Sequence, residues 1–128
     1  MSVLILDSGA IDRLAEHSAY STGLIARLWR AGQWPPLILS PVLVECLRGD
    51  AGRDAPVNRL LKACDLVERI PQRLARRAAF LRARARRGSA IDALVVAAAE
   101  PGGTVLTSDV GDMGALAAYA DRVMVASL

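Results

Sequence analysis

The sequence predicts an α/β domain, a central parallel sheet of about five short strands flanked by helices on both faces. Three observations predict it. Short apolar runs of three to five residues alternate along the chain with longer stretches of helical periodicity. Such runs, lacking strict alternation, suit strands covered on both sides. The length of 128 residues, with 53% hydrophobic residues and 23% charged ones, supports a single domain spanning 1–128 and excludes a disordered chain.

Taken in order, Val3 to Leu6 is a buried strand that ends at Asp7-Ser8-Gly9. Leu14, Ile25, Leu28 and Trp29 mark one or two helices between Ala10 and Arg30, closed by Gly32 and the Trp34-Pro35-Pro36 break. Leu37-Ile38-Leu39 is the second strand. A helix from Val42 to Arg48 follows, with Ser40 as its cap and Pro41 in a first-turn position where the missing N–H costs nothing. Gly49 to Asp54 reads as a polar loop, and Val57, Leu60, Leu61 and Cys64 recur at helical spacing.

Leu66 to Ile70 is a weak third strand stopped by Pro71. From Gln72 to Arg87, Leu74, Ala78, Leu81 and Ala85 form an apolar stripe, opposite Arg73, Arg76, Arg77, Arg84 and Arg87. Gly88 ends that helix and Ser89 opens the next, whose run from Ile91 to Ala99 is apolar apart from Asp92 and therefore mostly buried. Pro101-Gly102-Gly103 is a turn. Thr104 to Thr107 is the fourth strand, Met113 to Tyr119 a helix, and Arg122 to Val125 the last strand.

No secretory signal is expected at the N-terminus, and no apolar run approaches the roughly 18 residues of a membrane span, so a cytoplasmic protein without membrane contact is expected. Cys46 and Cys64 match no zinc spacing and read as two reduced, buried thiols. Neither a dinucleotide fingerprint nor a P-loop is present. His17, the sole histidine, cannot build a histidine metal site alone.

What remains is acidic residues in apolar surroundings. Ligands of open parallel sheets gather beyond the carboxyl ends of the strands, where strand order reverses. Asp7 and Asp109 follow the first and fourth predicted strands, while Glu45 and Asp92 sit inside apolar helices, and Asp112 follows Asp109 by three residues. Each also has an ordinary role: Asp7 or Ser8 caps a helix, Ser89-x-x-Asp92 forms a capping box, Asp109 caps the next helix, and Glu45 pairs with Arg48. Convergence would change the reading. Like charges about 4 Å apart repel by roughly 4 kcal/mol at an effective dielectric of 20. A divalent cation relieves that repulsion, and a site of oxygen donors alone suits Mg²⁺ or Mn²⁺.

Four stretches carry a resemblance: Leu4-Ile5-Leu6-Asp7-Ser8-Gly9-Ala10, Ser40 to Gly49, Ser89 to Ala99, and Val105 to Met113. In that order they resemble the PIN-domain ribonucleases of the VapC type, toxins of type II toxin–antitoxin pairs. Met113 departs from the family, which commonly has Phe there, and the middle of the chain does not align by eye. The resemblance implies a PIN-like fold and a Mg²⁺-dependent endoribonuclease, with Mn²⁺ as a substitute. Asp7, Glu45, Asp92 and Asp109 match the acidic quartet; Asp7, Asp92 and Asp109 would be the metal ligands, with Glu45 direct or through water. Ser8, Ser108 and Asp112 match auxiliary polar positions. Products with a 3′-hydroxyl and a 5′-phosphate are implied, as are an antitoxin partner and a homodimer.

The charge balance agrees with an RNA substrate. Setting aside Asp7, Glu45, Asp92, Asp109 and Asp112 turns a net +3 into 16 basic residues against 8 acidic ones. The Gln72–Arg87 arginine face can meet phosphates or simply be solvated. Few aromatics are available for base stacking, which favours a structured RNA read by shape. The apolar excess suggests surface covered by a partner, with the helices between Ala10 and Trp34 as the expected antitoxin groove. The rival reading is a catalytically silent PIN-like module that binds RNA or a protein.

Overall fold

A computed structural model describes residues 2–128. Five parallel strands form one sheet in the order β3-β2-β1-β4-β5: β1 Leu4–Leu6, β2 Leu37–Leu39, β3 Asp65–Val67, β4 Thr104–Thr107 and β5 Met124–Ser127. The expected parallel α/β fold is therefore the one observed. Every residue of β1 is buried, as a strand paired on both edges and covered on both faces requires.

Among the described residues seven α-helices surround the sheet: α1 Ser8–Ala15, α2 Ala19–Arg30, α3 Leu43–Cys46, α4 Ala51–Leu61, α5 Gln72–Ala85, α6 Ala90–Ala99 and α7 Val110–Ala117. Helices α1–α4 connect β1 through β2 to β3, and α5–α7 serve the return to β4 and β5; the right-handed rule for parallel crossovers puts the two groups on opposite faces. The packing agrees: α1 lies against α2, α3 and α4, whereas α5, α6 and α7 lie against one another. Both α1 and α6 seat on β1 and β4, so the core is centred on Ile5, Leu6, Ile11, Leu14, Val95 and Val96.

Several expected elements shift, each for a physical reason. The Val42–Arg48 helix is a 3₁₀ turn at Ser40–Val42 followed by the short α3, and Leu47 is already extended at φ −98°, ψ 140°. Pro41 does stand in the first turn, but Ser40 does not cap, because its hydroxyl donates to the Glu68 carbonyl at 3.4 Å. The expected loop Gly49–Asp54 is largely the start of α4. Asp50 caps it, accepting from Gly52 N at 2.9 Å and Arg53 N at 3.1 Å, while buried Asp54 accepts from the Arg48 and Gly49 amides. Acids that looked solvated are backbone acceptors.

The helix beginning at Gln72 ends at Ala85 because Arg86 turns left-handed at φ 56°. Its apolar stripe faces inward as expected, with Ala78 and Leu81 buried. Helix α7 starts at Val110, three residues before Met113, because Asp109 caps it. The edge strands moved most. β3 pairs as Asp65 with Leu37 and Val67 with Leu39, so it ends before Ile70. β5 cannot begin at Arg122, whose φ is +56°, and instead pairs Met124 with Thr104 and Ser127 with Thr107.

Cys46 and Cys64 are free thiols, the first buried and the second half-buried, and burial pushes both up to about 11. No helix is long and apolar enough to cross a membrane among the described residues. Part of the apolar excess is on the surface, where Val44 is 78% exposed and Trp29 64%.

Candidate carboxylate site at the switch point

From β1 the chain winds outward to β2 and β3; it then crosses back to β4 on the other side of β1 and continues to β5. In open parallel sheets ligands gather beyond the carboxyl ends of the strands at such a reversal, which here falls between β1 and β4. Asp7 is the residue after β1, and Thr107-Ser108-Asp109 closes β4.

Asp7 is 7% exposed. Its backbone is extended, and as the cap of α1 its Oδ1 accepts from the Ala10 N–H at 2.8 Å. The other oxygen accepts from the Thr107 hydroxyl. Thr107 is fully buried, and its Oγ1 accepts in turn from the Asp109 N–H at 2.8 Å. One hydroxyl therefore ties the end of β4 to the Asp7 carboxylate and to the start of α7. Gly9 allows this approach, since a Cβ there would run into the Ser108 side chain and reach within 3.6 Å of Asp7 Oδ1.

Asp109 is exposed and caps α7, its Oδ1 accepting from the Asp112 N–H at 3.3 Å. Asp92 is half-buried in the first turn of α6. There it forms the capping box expected from sequence: Ser89 Oγ accepts from Asp92 N at 3.0 Å and Asp92 Oδ2 from Ser89 N at 3.1 Å.

Electrostatics joins the three aspartates. Burial pushes the Asp7 carboxyl above its ordinary 3.8, and the hydrogen bonds from Thr107 and Ala10 oppose the shift. The like charges of Asp92 and Asp109 then push it further up. None of the three has an ion-pair partner among the described residues.

The other expected residues stand differently. Glu45 is exposed on α3, is not among the charges that act on Asp7, and instead acts on the neighbouring Cys46 thiol. It makes no ion pair with Arg48 among the described residues; the Arg48 charge acts on Asp12. Ser8 is the half-buried first residue of α1, and Ser108 is exposed over Gly9. Asp112 pairs with Arg87, Nε to Oδ1, at 3.0 Å.

Two residues of the site escaped sequence reading. Thr107 looks like an ordinary strand residue; the available signal was a hydroxyl at the last strand position, two residues before an acid. Arg87 looks like one more cation of the α5 stripe; Gly88 marks the turn that follows it, but nothing local shows that this turn faces α7.

As the side chains lie, no three His, Cys, Asp or Glu groups among the described residues are placed to hold one metal ion. The donor chemistry of Asp7, Asp92 and Asp109 nevertheless fits a hard divalent cation: oxygen donors only, one of them buried and pushed up by the like charges of the other two, and none in an ion pair among the described residues.

No family model and no curated protein matches the chain. Among solved structures, it is similar to the crystal structure of PAE2754 from Pyrobaculum aerophilum, with a TM-score of 0.64 and 17% identity over 97% of this chain and 89% of that one. A likeness at that identity shows the fold.

Proposed function

We propose that the chain is a metal-dependent endoribonuclease of the PIN-domain type, the toxin of a VapC-like toxin–antitoxin pair acting in the cytoplasm. The observation that carries this reading is the buried Asp7 carboxylate at the switch point, sharing one electrostatic field with Asp92 and Asp109.

Asp7, Asp92 and Asp109 would hold Mg²⁺, or Mn²⁺ in its place, with Glu45 approaching from α3. A bound divalent cation supplies a water of lowered pKa and charge stabilisation for the leaving oxygen of a phosphodiester. The protein's own part is placement. Thr107 keeps the Asp7 carboxylate oriented, and the helix caps at Ser89 and Asp109 hold the other two acids at the starts of α6 and α7. Ser8, Ser108 and Asp112 line the approach as polar positions.

A structured RNA is the substrate proposed, drawn by the basic surplus outside the site. Of the α5 arginines, Arg73, Arg76, Arg82 and Arg84 are exposed and make no ion pair among the described residues; Arg82 donates to the Gly88 carbonyl and Arg84 lies over Phe80 and Tyr119, which leaves Arg73 and Arg76 to meet phosphates. Exposed Tyr20 and Trp29 on α2 and Val44 on α3 support a covering partner, which we assign to the antitoxin or a second copy of the chain.

The second reading, a silent module that binds RNA or a protein, draws support from the lack of a ready three-carboxylate cluster among the described residues. Purified protein incubated with structured RNA separates the two. Cleavage with Mg²⁺ that disappears on chelation and in Asp7→Asn is the expected result. RNA bound but intact supports the silent module, and cleavage persisting in Asp7→Asn contradicts the assigned site.

A further inference from the structure

Asp92 lies in the first turn of α6 and Asp109 caps α7, so their separation depends on how those two helix starts are seated together. Among the described residues, one side-chain ion pair spans that junction: Arg87 Nε to Asp112 Oδ1 at 3.0 Å. Arg87 stands just ahead of α6. Asp112 lies in the first turn of α7, and its N–H donates to Asp109 Oδ1 at 3.3 Å.

Two glycines permit the close approach. Gly88 has φ +87°, and a Cβ there would meet Leu116 Cδ1 of α7 at 2.7 Å and Asp92 Cβ at 3.7 Å. A Cβ on Gly111 would meet Arg87 Nη2 at 3.1 Å and Asp109 Oδ1 at 3.5 Å. From α5, Arg82 Nε donates to the Gly88 carbonyl at 3.2 Å and pins the corner from its other side. The Arg87 guanidinium thus lies over the first turn of α7.

We infer that Arg87 is a positioning residue, whose ion pair with Asp112 fixes the seating of the starts of α6 and α7 and so limits how far the Asp92 and Asp109 side chains must move to bind one divalent cation together with Asp7. The inference rests on the metal-dependent reading above. Because the two side chains are 58% and 33% exposed, water screens the pair and it adds little to stability. Its consequence is geometric. Groups that support metal ligands from behind set affinity, and losing one costs about 10- to 100-fold.

Thermal unfolding of the full chain against MgCl₂ concentration tests this, using wild type, Asp7→Asn, Arg87→Gln, Asp112→Asn and the Arg87→Gln/Asp112→Asn double variant. Without metal, Arg87→Gln and Asp112→Asn should melt near wild type. Each should need about tenfold more Mg²⁺, or more, for the same rise in Tm. The double variant should be no worse than either single one, since one contact is lost in all three. Arg87→Met, which keeps the length of the side chain and removes its charge, carries the same test if Arg87→Gln folds poorly. Wild-type Mg²⁺ dependence in Arg87→Gln, or additive losses in the double variant, overturns the positioning role. Absence of any Mg²⁺-dependent rise in wild type that Asp7→Asn abolishes overturns the metal reading and the role of Arg87 with it.

Discussion

The Thr107 hydroxyl donates to the Asp7 carboxylate from the neighbouring strand, joining positions 100 residues apart in the chain. Both groups are buried, and the same oxygen accepts from the Asp109 amide. Thr107→Val keeps the shape and removes both interactions, leaving a carboxylate oxygen and an N–H without partners. A loss of about 1–3 kcal/mol in urea unfolding is expected. Thr107→Ser, which keeps the hydroxyl, should lose less; equal losses would show that the methyl packing, not the hydroxyl, matters.

Stability should depend on pH through Asp7. Its carboxyl is raised above the ordinary 3.8, so the folded state binds that proton more tightly than the unfolded state does. The resulting stabilisation is complete below 3.8 and is lost as pH rises through the raised value. Asp7→Asn removes the buried charge while keeping an oxygen for the Ala10 amide. Its Tm relative to wild type should therefore be higher at about pH 7 than at about pH 3. A difference independent of pH would mean that Asp7 is not under this strain.

The arginines of α5 divide into two groups. Arg77 binds Glu100 through Nε at 2.9 Å and Nη2 at 2.7 Å, and its guanidinium stacks over Phe80. Glu100 also accepts from the Asp121 N–H at 2.7 Å, and the Arg77 hydrogen bonds hold its carboxyl below the ordinary 4.5. Arg77→Ala should cost about 1 kcal/mol at neutral pH, a modest figure because the side chain is 39% exposed. That cost should shrink at acid pH, since the pair's contribution is complete above 4.5 and is lost as pH falls from there through the lowered Glu100 value.

Arg76→Ala should leave unfolding unchanged and weaken RNA binding, with a shallower dependence of affinity on salt. A filter-binding series over salt concentration checks this. An unchanged slope would place the RNA path elsewhere.

The sheet was legible because β1, β2 and β4 are short apolar runs, and burial on both faces leaves such strands no other composition. β3 and β5 were displaced because an edge strand takes its register from one neighbour, information carried by Leu37 and Thr104 and absent from the strand itself. Asp7, Asp92 and Asp109 stood out as acids in apolar segments, and their ordinary capping roles were equally legible; the structure shows that each caps a helix while the charges of Asp92 and Asp109 act on Asp7. Thr107 and Arg87 were not legible. Their partners lie on distant parts of the chain, and no spacing within one element encodes a contact made through strand order.

The central claim is that this carboxylate site cuts RNA, and mapping new 5′-phosphate RNA ends in cells induced for wild type or Asp92→Asn tests it most directly. Asn at position 92 keeps an oxygen for the Ser89 amide, so α6 stays capped while the charge is lost. New ends in the wild-type sample alone are expected, and their sequences would name the substrate. Ends shared by both samples, or none in either, would contradict it.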